Sequence, residues 1–488
     1  MELKDYRKQI DETDNELVSL LKKRMDICGQ IAQYKIENNL PTYDPVREAA
    51  LLDNLCAKAG DRRNVVNAVY SEILKASKEL QQELRCRQKA YGLLGVKLTH
   101  SFSPELHGCF ADYPYRLFPT KPDDLQAFLS PSESGFGFLG LNVTIPYKQA
   151  VIPFLSELTP LAKRIGSVNT ITVENGKLIG DNTDYYGFLY TIKNYFPDVS
   201  GRKALVLGSG GASKAVSAAL SDSGAKVTVI SRTGENNYSN LSLHADAEII
   251  VNTTPVGMFP DCGEKPLSLA QFSKLIFVAD IIANPLRTAL LLEAKQLGIP
   301  YVNGLPMLVA QAAKAAERFA RITVSDEKIR RVLERFSSDR ENLVLIGMPG
   351  CGKTTYGRHI ANLLNRDFID TDDLITESVG KTPSQIIRTE GEESFRKIET
   401  ETLGKIADKH GCVIACGGGI VTRKENYRLI AQNSCVMFLQ CDLSQLSTTD
   451  RPLSAGPGSL QKLYAERLPL YKQFADCEMT FDKNKSLL

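Results

Sequence analysis

The run Leu343-Val-Leu-Ile346, Gly347-Met-Pro-Gly-Cys-Gly-Lys353, Thr354-Thr355 reads as a buried strand that breaks into a glycine-rich turn and opens a helix. A second run, Ala204-Leu-Val-Leu207 followed by Gly208-Ser-Gly-Gly-Ala-Ser213, has the same plan with a different ending. Each sets a tight turn at a helix N-terminus, where unpaired N–H groups and the helix dipole favour phosphate. Gly350, Gly352, Lys353, Thr354 and Thr355 are candidate ATP contacts: the lysine suits the β- and γ-phosphates, and Thr354 a Mg²⁺ ion. Gly208, Gly210, Gly211, Ala212 and Ser213 lack the Lys-Thr pair and suit a dinucleotide. Two unlike nucleotide loops in one chain predict more than one enzyme.

Working outward, 488 residues exceed what one core fills, so several domains are expected. The composition is that of a globular protein, 43% hydrophobic and 24% charged. A net charge of +2 speaks against nucleic acid or a membrane surface as partner. No apolar stretch reaches the length of a membrane span, and Met1-Glu-Leu-Lys-Asp5 lacks the apolar core of a signal peptide. The eleven cysteines show neither CxxC pairs nor Cys/His ligand spacing, which predicts reduced thiols and a cytoplasmic location. Cys351 reads as a small filler within the ATP loop.

Residues 1–88 read as all-helical, with a seven-residue repeat in the first helix. Leu3, Ile10, Leu17, Arg24 and Ile31 form one series, and Arg7, Asp14, Leu21, Cys28 and Lys35 the other. At 1.5 Å per residue this helix is roughly 50 Å long, too long for so small a domain to cover, so a second copy of the chain is expected against it. Asp44-Pro45 predicts the N-cap of a second helix running through Leu55, and a third spans Arg63 to Arg87. Arg7, Arg24 and Lys35 sit where the seam should be apolar. Snorkelling or pairing with Asp14 and Glu48 is the plain reading; a cationic pocket for a small polyanion is the functional one.

These charges, with Asp44-Pro-Val-Arg47-Glu48 and Ser77…Gln81, resemble the all-helical chorismate mutases over the whole segment. The resemblance implies a domain-swapped homodimer in which Arg7 crosses from the partner and Arg24 acts locally, with Arg47 in support, to clamp the two carboxylates of chorismate. It also implies that Lys35 and Gln81 donate to the ether oxygen and Glu48 holds the ring hydroxyl. A module that only dimerises or senses an effector would use the same clamp, and that alternative stays open.

Residues 89–336 change to short apolar strands alternating with helices, the pattern of an α/β domain. Two parts are expected: a substrate-binding part over about 91–195 and a nucleotide-binding part over 201–304, closed by helices over 305–336. After Val227-Thr-Val-Ile230 comes Ser231-Arg232-Thr233 rather than an acidic residue, which suits a 2′-phosphate and favours NADP(H) over NAD. The clusters His100-Ser101-Phe-Ser103-Pro104, Asn142-Val-Thr144-Ile-Pro-Tyr-Lys148, Ser167-Val-Asn169-Thr170 and Asp181-Asn-Thr-Asp184, with Asn252-Thr-Thr-Pro-Val-Gly-Met258 and Gly304…Gln311, closely resemble shikimate dehydrogenase. The resemblance implies that Ser101, Ser103, Asn142, Thr144, Asn169 and Gln311 hold 3-dehydroshikimate or shikimate, with Lys148 and Asp184 as the catalytic pair. It likewise implies Arg232, Thr233 and Gly304 at the cofactor. A surface ion pair is the plain alternative for Lys148 and Asp184, and a quinate dehydrogenase the rival activity. The chain departs from the family at Ala283, where Tyr is usual, and at Ser231, where Asn is usual.

Ser337-Ser-Asp-Arg340 reads as a short polar joint, after which 341–488 form an α/β P-loop unit. Phe368-Ile-Asp370-Thr-Asp372, Glu393-Ser-Phe-Arg396…Glu399, Gly417-Gly-Gly419, Asp450-Arg451-Pro-Leu453 and Arg467-Leu-Pro-Leu-Tyr471 look like shikimate kinase throughout. The resemblance implies that Lys353 and Arg451 stabilise the transferring phosphoryl group and that Thr354 and Asp370 hold Mg²⁺. Asp372, Arg396, Gly417, Gly418, Gly419 and Arg467 would then seat shikimate. Exposed helix charge is the plain reading of Arg396 and Arg467. The lid stretch Ser454-Ala-Gly-Pro-Gly458 is short, and with Leu488 following soon after Met479-Thr-Phe481 the family's usual closing helix is expected to be absent.

Overall fold

The computed structural model describes residues 2–37, 45–86, 90–98, 101–131, 136–446 and 459–480. Asp44, Arg451, the lid stretch 454–458 and the terminus from Phe481 onward lie outside the described residues, as does the expected boundary at 88–89. Two compact units result, one of residues 1–159, 168–181 and 316–322, the other of residues 160–167, 182–315 and 323–488.

The first unit begins with three helices: α1 (Leu3–Glu37), α2 (Pro45–Lys58) and α3 (Arg63–Cys86). Helix α2 runs about one turn past the expected end at Leu55. Among the described residues, the cover over α1 falls on its C-terminal half: Cys28 and Ala32 are buried, whereas Leu3, Ile10 and Leu17 are 67, 58 and 50% exposed. The repeat therefore continues past the surface that α2 and α3 can cover.

The unit's sheet joins β1 (Ala90–Gly95), β2 (Tyr115–Pro119), β3 (Phe138–Val143), β4 (Glu157–Leu158), β5 (Thr170–Glu174) and β6 (Lys177–Asp181) in the order β2-β1-β3-β5-β6-β4. Strands β1, β2 and β3 pair in parallel; β5 lies antiparallel between β3 and β6. The polar clusters thus fall at neighbouring strand ends, where Val143 N–H donates to Asn169 O at 2.7 Å.

The second unit contains two all-parallel sheets. Strands β7 (Lys203–Leu207), β8 (Lys226–Ile230), β9 (Ile249–Asn252), β10 (Phe277–Asp280) and β11 (Tyr301–Val302) take the order β11-β10-β9-β7-β8. Strands β12 (Asn342–Ile346), β13 (Phe368–Asp370), β14 (Val413–Ala415), β15 (Ser434–Gln440) and β16 (Cys477–Thr480) take the order β13-β14-β12-β15-β16. Ala204–Leu207 and Val344–Ile346 are fully covered, which is why both runs are apolar without alternation. In each sheet the glycine loop follows the strand at which the order reverses, the switch point where open α/β sheets bind ligands.

The joint at 337–340 is not a loop. A helix runs from Asp326 to Arg340 and only Glu341 separates it from β12. Ser325 caps it, its Oγ accepting from Lys328 N–H at 3.2 Å, and the Glu327–Arg330, Arg330–Glu334 and Arg335–Asp339 pairs lace its exposed face. Ile329, Leu333 and Phe336 form the buried face. The polar residues of the expected joint are the outer side of its last turn, where Arg340 lies 3.3 Å over the Phe336 ring.

Candidate active sites

In the helical segment, the pairing of α1 with α3 brings together residues far apart in sequence. Lys35 Nζ donates to Gln81 Oε1 at 3.3 Å, and the Arg24 guanidinium donates to Ser77 Oγ. Ser77 is buried and donates in turn to Ile73 O at 2.6 Å, so its hydroxyl is oriented by the helix backbone. With Gln81 accepting through its oxygen, its amide N–H₂ is the group that can act as a donor. Glu48 is engaged by Lys78 at 2.6 Å, a residue that sequence reasoning did not select. Arg7 and Arg47 are exposed on α1 and α2.

In the six-stranded sheet, Asn142 is the centre of a network. Tyr115 OH donates to Asn142 Oδ1 at 2.8 Å, Asn142 Nδ2 donates to Thr170 Oγ1 at 3.2 Å, and Thr170 Oγ1 to Asn169 Oδ1 at 3.2 Å. His107 stacks on Tyr115 with ring centroids 4.1 Å apart and pairs through Nδ1 with Tyr113 OH at 2.6 Å. Burial holds the imidazole down at about 3, keeping it neutral. Tyr115 and His107 carry no recognisable motif; only their packing identifies them. Ser101 Oγ accepts from Ser103 N–H at 3.2 Å at the start of helix Ser103–Phe110. Lys148 lies on the single turn Tyr147–Ala150, half-buried, with its carbonyl accepting from Val168 N–H at 2.7 Å. Thr144 N–H donates to Leu94 O at 3.0 Å, fixing the backbone beside it.

In the second unit, Asp184 is 5% exposed in the first turn of helix Thr183–Tyr195. Its position is fixed by Asn182, the N-cap, which accepts from Tyr185 N–H at 3.2 Å and donates to Ser167 O at 2.8 Å. Gly187 of this helix lies so close to helix Leu305–Ala320 that a Cβ there would stand 2.5 Å from Met307 O and 2.9 Å from the Gln311 Cβ. That close approach sets Asp184 and Gln311 on facing helices. Burial removes the plain surface-pair reading for Asp184.

At the dinucleotide loop, helix Gly211–Asp222 starts from Gly210 without a side-chain cap, leaving its first N–H groups available to an anion. Ser213 Oγ donates to Gly208 O at 2.6 Å, and Gly208 packs against Thr253. Arg232 and Thr233 are exposed just beyond β8. Gly304 N–H donates to Ile282 O at 2.9 Å, so at this position the backbone amide is already used.

Behind Thr253, Asp280 is wholly buried. It accepts from Thr288 Oγ1 at 2.7 Å, from Asn252 Nδ2 at 3.1 Å and from Ile282 N–H at 3.1 Å. Burial pushes its carboxyl up to about 7 against the pull of these donors.

The ATP loop is held open by Gly350 and Gly352, whose φ angles of 80° and 99° lie in the left-handed region. Lys353 is buried, and its ammonium donates to Gly347 O and Met348 O, both at 2.9 Å. Thr354 Oγ1 donates to Asp370 Oδ2 at 2.7 Å across the mouth of the loop. A hydroxyl and a carboxylate so placed form a hard-oxygen donor set that fits Mg²⁺.

Beside that loop, Arg396 and Arg467 are 5 and 4% exposed, which excludes exposed helix charge. Arg396 pairs with Glu392 at 2.7 Å and with the buried Glu399; Arg467 Nη1 donates to Gly418 O at 3.0 Å. Side chains crowd the turn so closely that only glycine fits: a Cβ at Gly417 would strike the Glu399 and Asp372 carboxylates, and one at Gly419 the Arg396 guanidinium. Tyr471 OH also donates to Gly418 O. Glu392 is a further residue that only the folded arrangement picks out.

Three family models match the chain: chorismate mutase type II over residues 6–82, the shikimate dehydrogenase substrate binding domain over 93–171, and shikimate kinase over 349–487. Among curated proteins, the shikimate dehydrogenase (NADP(+)) of Caldanaerobacter subterraneus subsp. tengcongensis is 37% identical over 252 residues, 46% of this chain and 90% of that protein. The enzyme of the same name from Clostridium perfringens is 37% identical over 265 residues, 50% of this chain and 97% of that protein. A solved chorismate mutase/shikimate 5-dehydrogenase fusion protein from Clostridium acetobutylicum is similar at 33% identity and a TM-score of 0.47, covering 51% of this chain and 97% of that one.

Proposed function

The chain belongs to the shikimate dehydrogenase family through its middle part, and from that premise we propose one polypeptide that performs three reactions of aromatic biosynthesis. It rearranges chorismate to prephenate, reduces 3-dehydroshikimate to shikimate with NADPH, and phosphorylates shikimate with ATP to shikimate 3-phosphate. The carrying observation is the coexistence of two parallel sheets with unlike phosphate loops at their switch points, one loop lying beside the buried cradle of Arg396 and Arg467. The domains are taken as 1–88, 89–336 and 341–488.

In the first reaction the residues act as fixed charges. Arg24 and a partner chain's counterpart of Arg7 bind the two carboxylates, while Lys35 and Gln81, already joined at 3.3 Å, donate where negative charge develops on the ether oxygen. The exposed apolar face of α1, from Leu3 to Leu17, supports a homodimer through this segment. Sedimentation of the full chain as a dimer is expected; a monomer at micromolar concentration would contradict it. A cytoplasmic location fits an NADPH- and ATP-dependent biosynthetic enzyme; among the described residues no helix is long and apolar enough to cross a membrane.

In the second reaction the nicotinamide supplies the reducing equivalent to the ring ketone. Lys148 would supply the proton that the developing alkoxide needs, with Asp184 as the other member of the catalytic pair. Asn142, locked by Tyr115 and Thr170, and Asn169 present fixed donors and acceptors to the ring hydroxyls. Arg232, exposed at the end of β8, meets the 2′-phosphate. Arg232→Ala should therefore raise the KM for NADP⁺ about tenfold, as loss of one charge-assisted hydrogen bond implies, and leave kcat nearly unchanged. Steady-state oxidation of shikimate and of quinate with NADP⁺ and with NAD⁺ tests the reading. Shikimate with NADP⁺ should be strongly preferred; preference for quinate with NAD⁺ would overturn it.

In the third reaction Thr354 and Asp370 would hold Mg²⁺, which would supply charge neutralisation for the phosphates. Lys353 leaves the carbonyls of Gly347 and Met348 for the phosphates, and Arg451 adds a second cation. Arg396 and Arg467 fix the shikimate carboxylate, and Asp372 accepts from a ring hydroxyl. Catalysis here is positioning with charge neutralisation.

A further inference from the structure

We propose that the turn Leu286-Arg287-Thr288 of the dinucleotide lobe and the segment Ala431–Ser434 of the kinase form a permanent internal interface, through which a ligand bound at the kinase stabilises the dehydrogenase. The partner that this surface fits is thus the kinase of the same chain. Domains in one chain ordinarily move against each other unless their contact is well packed. Here the contact is built into both backbones. Arg287 N–H donates to Gln432 O at 2.8 Å, and Leu286 N–H donates to Asn433 Oδ1 at 2.9 Å. Two amides of the dehydrogenase are therefore satisfied from the kinase, and leaving such buried groups unpaired is costly.

The side chain of Arg287 extends the same pattern. Its guanidinium donates to Ala431 O at 3.2 Å and Ser434 O at 2.9 Å, and pairs with Glu341 at 2.5 Å. It thereby caps the C-terminus of helix Glu425–Ala431, where a cation is electrostatically favoured. One helical turn further, Leu292 of helix Ala289–Gln296 is 4% exposed and belongs to the apolar core formed by Val344, Ile414 and Val436 of the kinase. Lys295 pairs with Asp476, whose other oxygen accepts from Val436 N–H at 2.8 Å.

On its other side the same turn is tied to the cofactor loop. Thr288 Oγ1 donates to Asp280, Asn252 donates to Asp280, and Thr253 next to Asn252 packs on Gly208. The helical connection ending at Arg340 is likewise pinned from the kinase, by Arg366 donating to Ser338 O at 2.6 Å. The two parts therefore share one folding unit rather than a tether.

Linkage gives the test, because a ligand that binds the folded kinase stabilises whatever unfolds with it. The full chain is heated in steps with and without saturating Mg-ATP, and residual dehydrogenase and kinase activities are measured after cooling. Mg-ATP should raise both inactivation midpoints together, by several degrees. In Arg287→Ala, with both activities near wild type at 25 °C, only the kinase midpoint should still respond. Asn433→Ala, which removes a single acceptor, should shrink the shared shift. If in wild type Mg-ATP protects the kinase alone, the interface is a passive contact. If Arg287→Ala retains full protection of the dehydrogenase, ATP is binding the dinucleotide loop directly. Either result overturns the proposal.

Discussion

Lys148→Ala is expected to lower kcat for NADPH-dependent reduction of 3-dehydroshikimate by about 10²–10⁴-fold, the usual contribution of a positioned proton donor. The lysine lies on a turn whose backbone is bonded to Val168, close to the Asn142–Asn169 network and within the same compact unit. None of these groups belongs to the cofactor loop, so the Kd for NADPH should stay near wild type. The chorismate and ATP reactions, run in the same preparation, should be unaffected. A kcat close to wild type would remove Lys148 from the chemistry, and loss of all three activities would mark a folding defect.

Lys353→Ala is expected to abolish phosphorylation of shikimate almost completely. A single cation placed on a transferring phosphoryl group is worth about 10³-fold or more. Lys353 is buried and its ammonium is held by carbonyls of the loop itself, so it is stored beside the phosphate positions rather than free in solvent. The variant should still bind shikimate, because Arg396, Arg467 and the Gly417–Gly419 turn are held by Glu392, Glu399 and Tyr471 without help from the lysine. Equilibrium binding of shikimate beside a coupled ADP-release assay separates the two effects. Retained turnover would contradict the role assigned to Lys353.

How much was legible before folding follows from where the information lies. The two glycine loops sit within single segments, so their strands, turns and helices could be read directly, and the helical N-terminal segment showed its period. Pairings between segments were out of reach. Nothing in the spacing of Tyr115 and Asn142 shows that one orients the other, nor does Glu48 announce Lys78. The residues 337–340 looked like a linker because they are polar, yet they complete a helix whose apolar face, Ile329, Leu333 and Phe336, was already present upstream. Composition described one side of the helix, and the hydrogen-bond pattern decided its end. Arg287 was invisible for the same reason: an arginine after a Pro-Leu pair has no local meaning until the kinase carbonyls surround it.

The central claim is that consecutive reduction and phosphorylation belong to one polypeptide. The purified full chain, supplied with 3-dehydroshikimate, NADPH and Mg-ATP and followed by chromatography of the products, tests it most directly. NADP⁺, ADP and shikimate 3-phosphate should form, with free shikimate only as an intermediate. Lys353→Ala should stop at shikimate, and Lys148→Ala should leave 3-dehydroshikimate largely unconverted. Accumulation of shikimate by the wild-type chain, with NADPH consumed and ATP intact, would contradict the account.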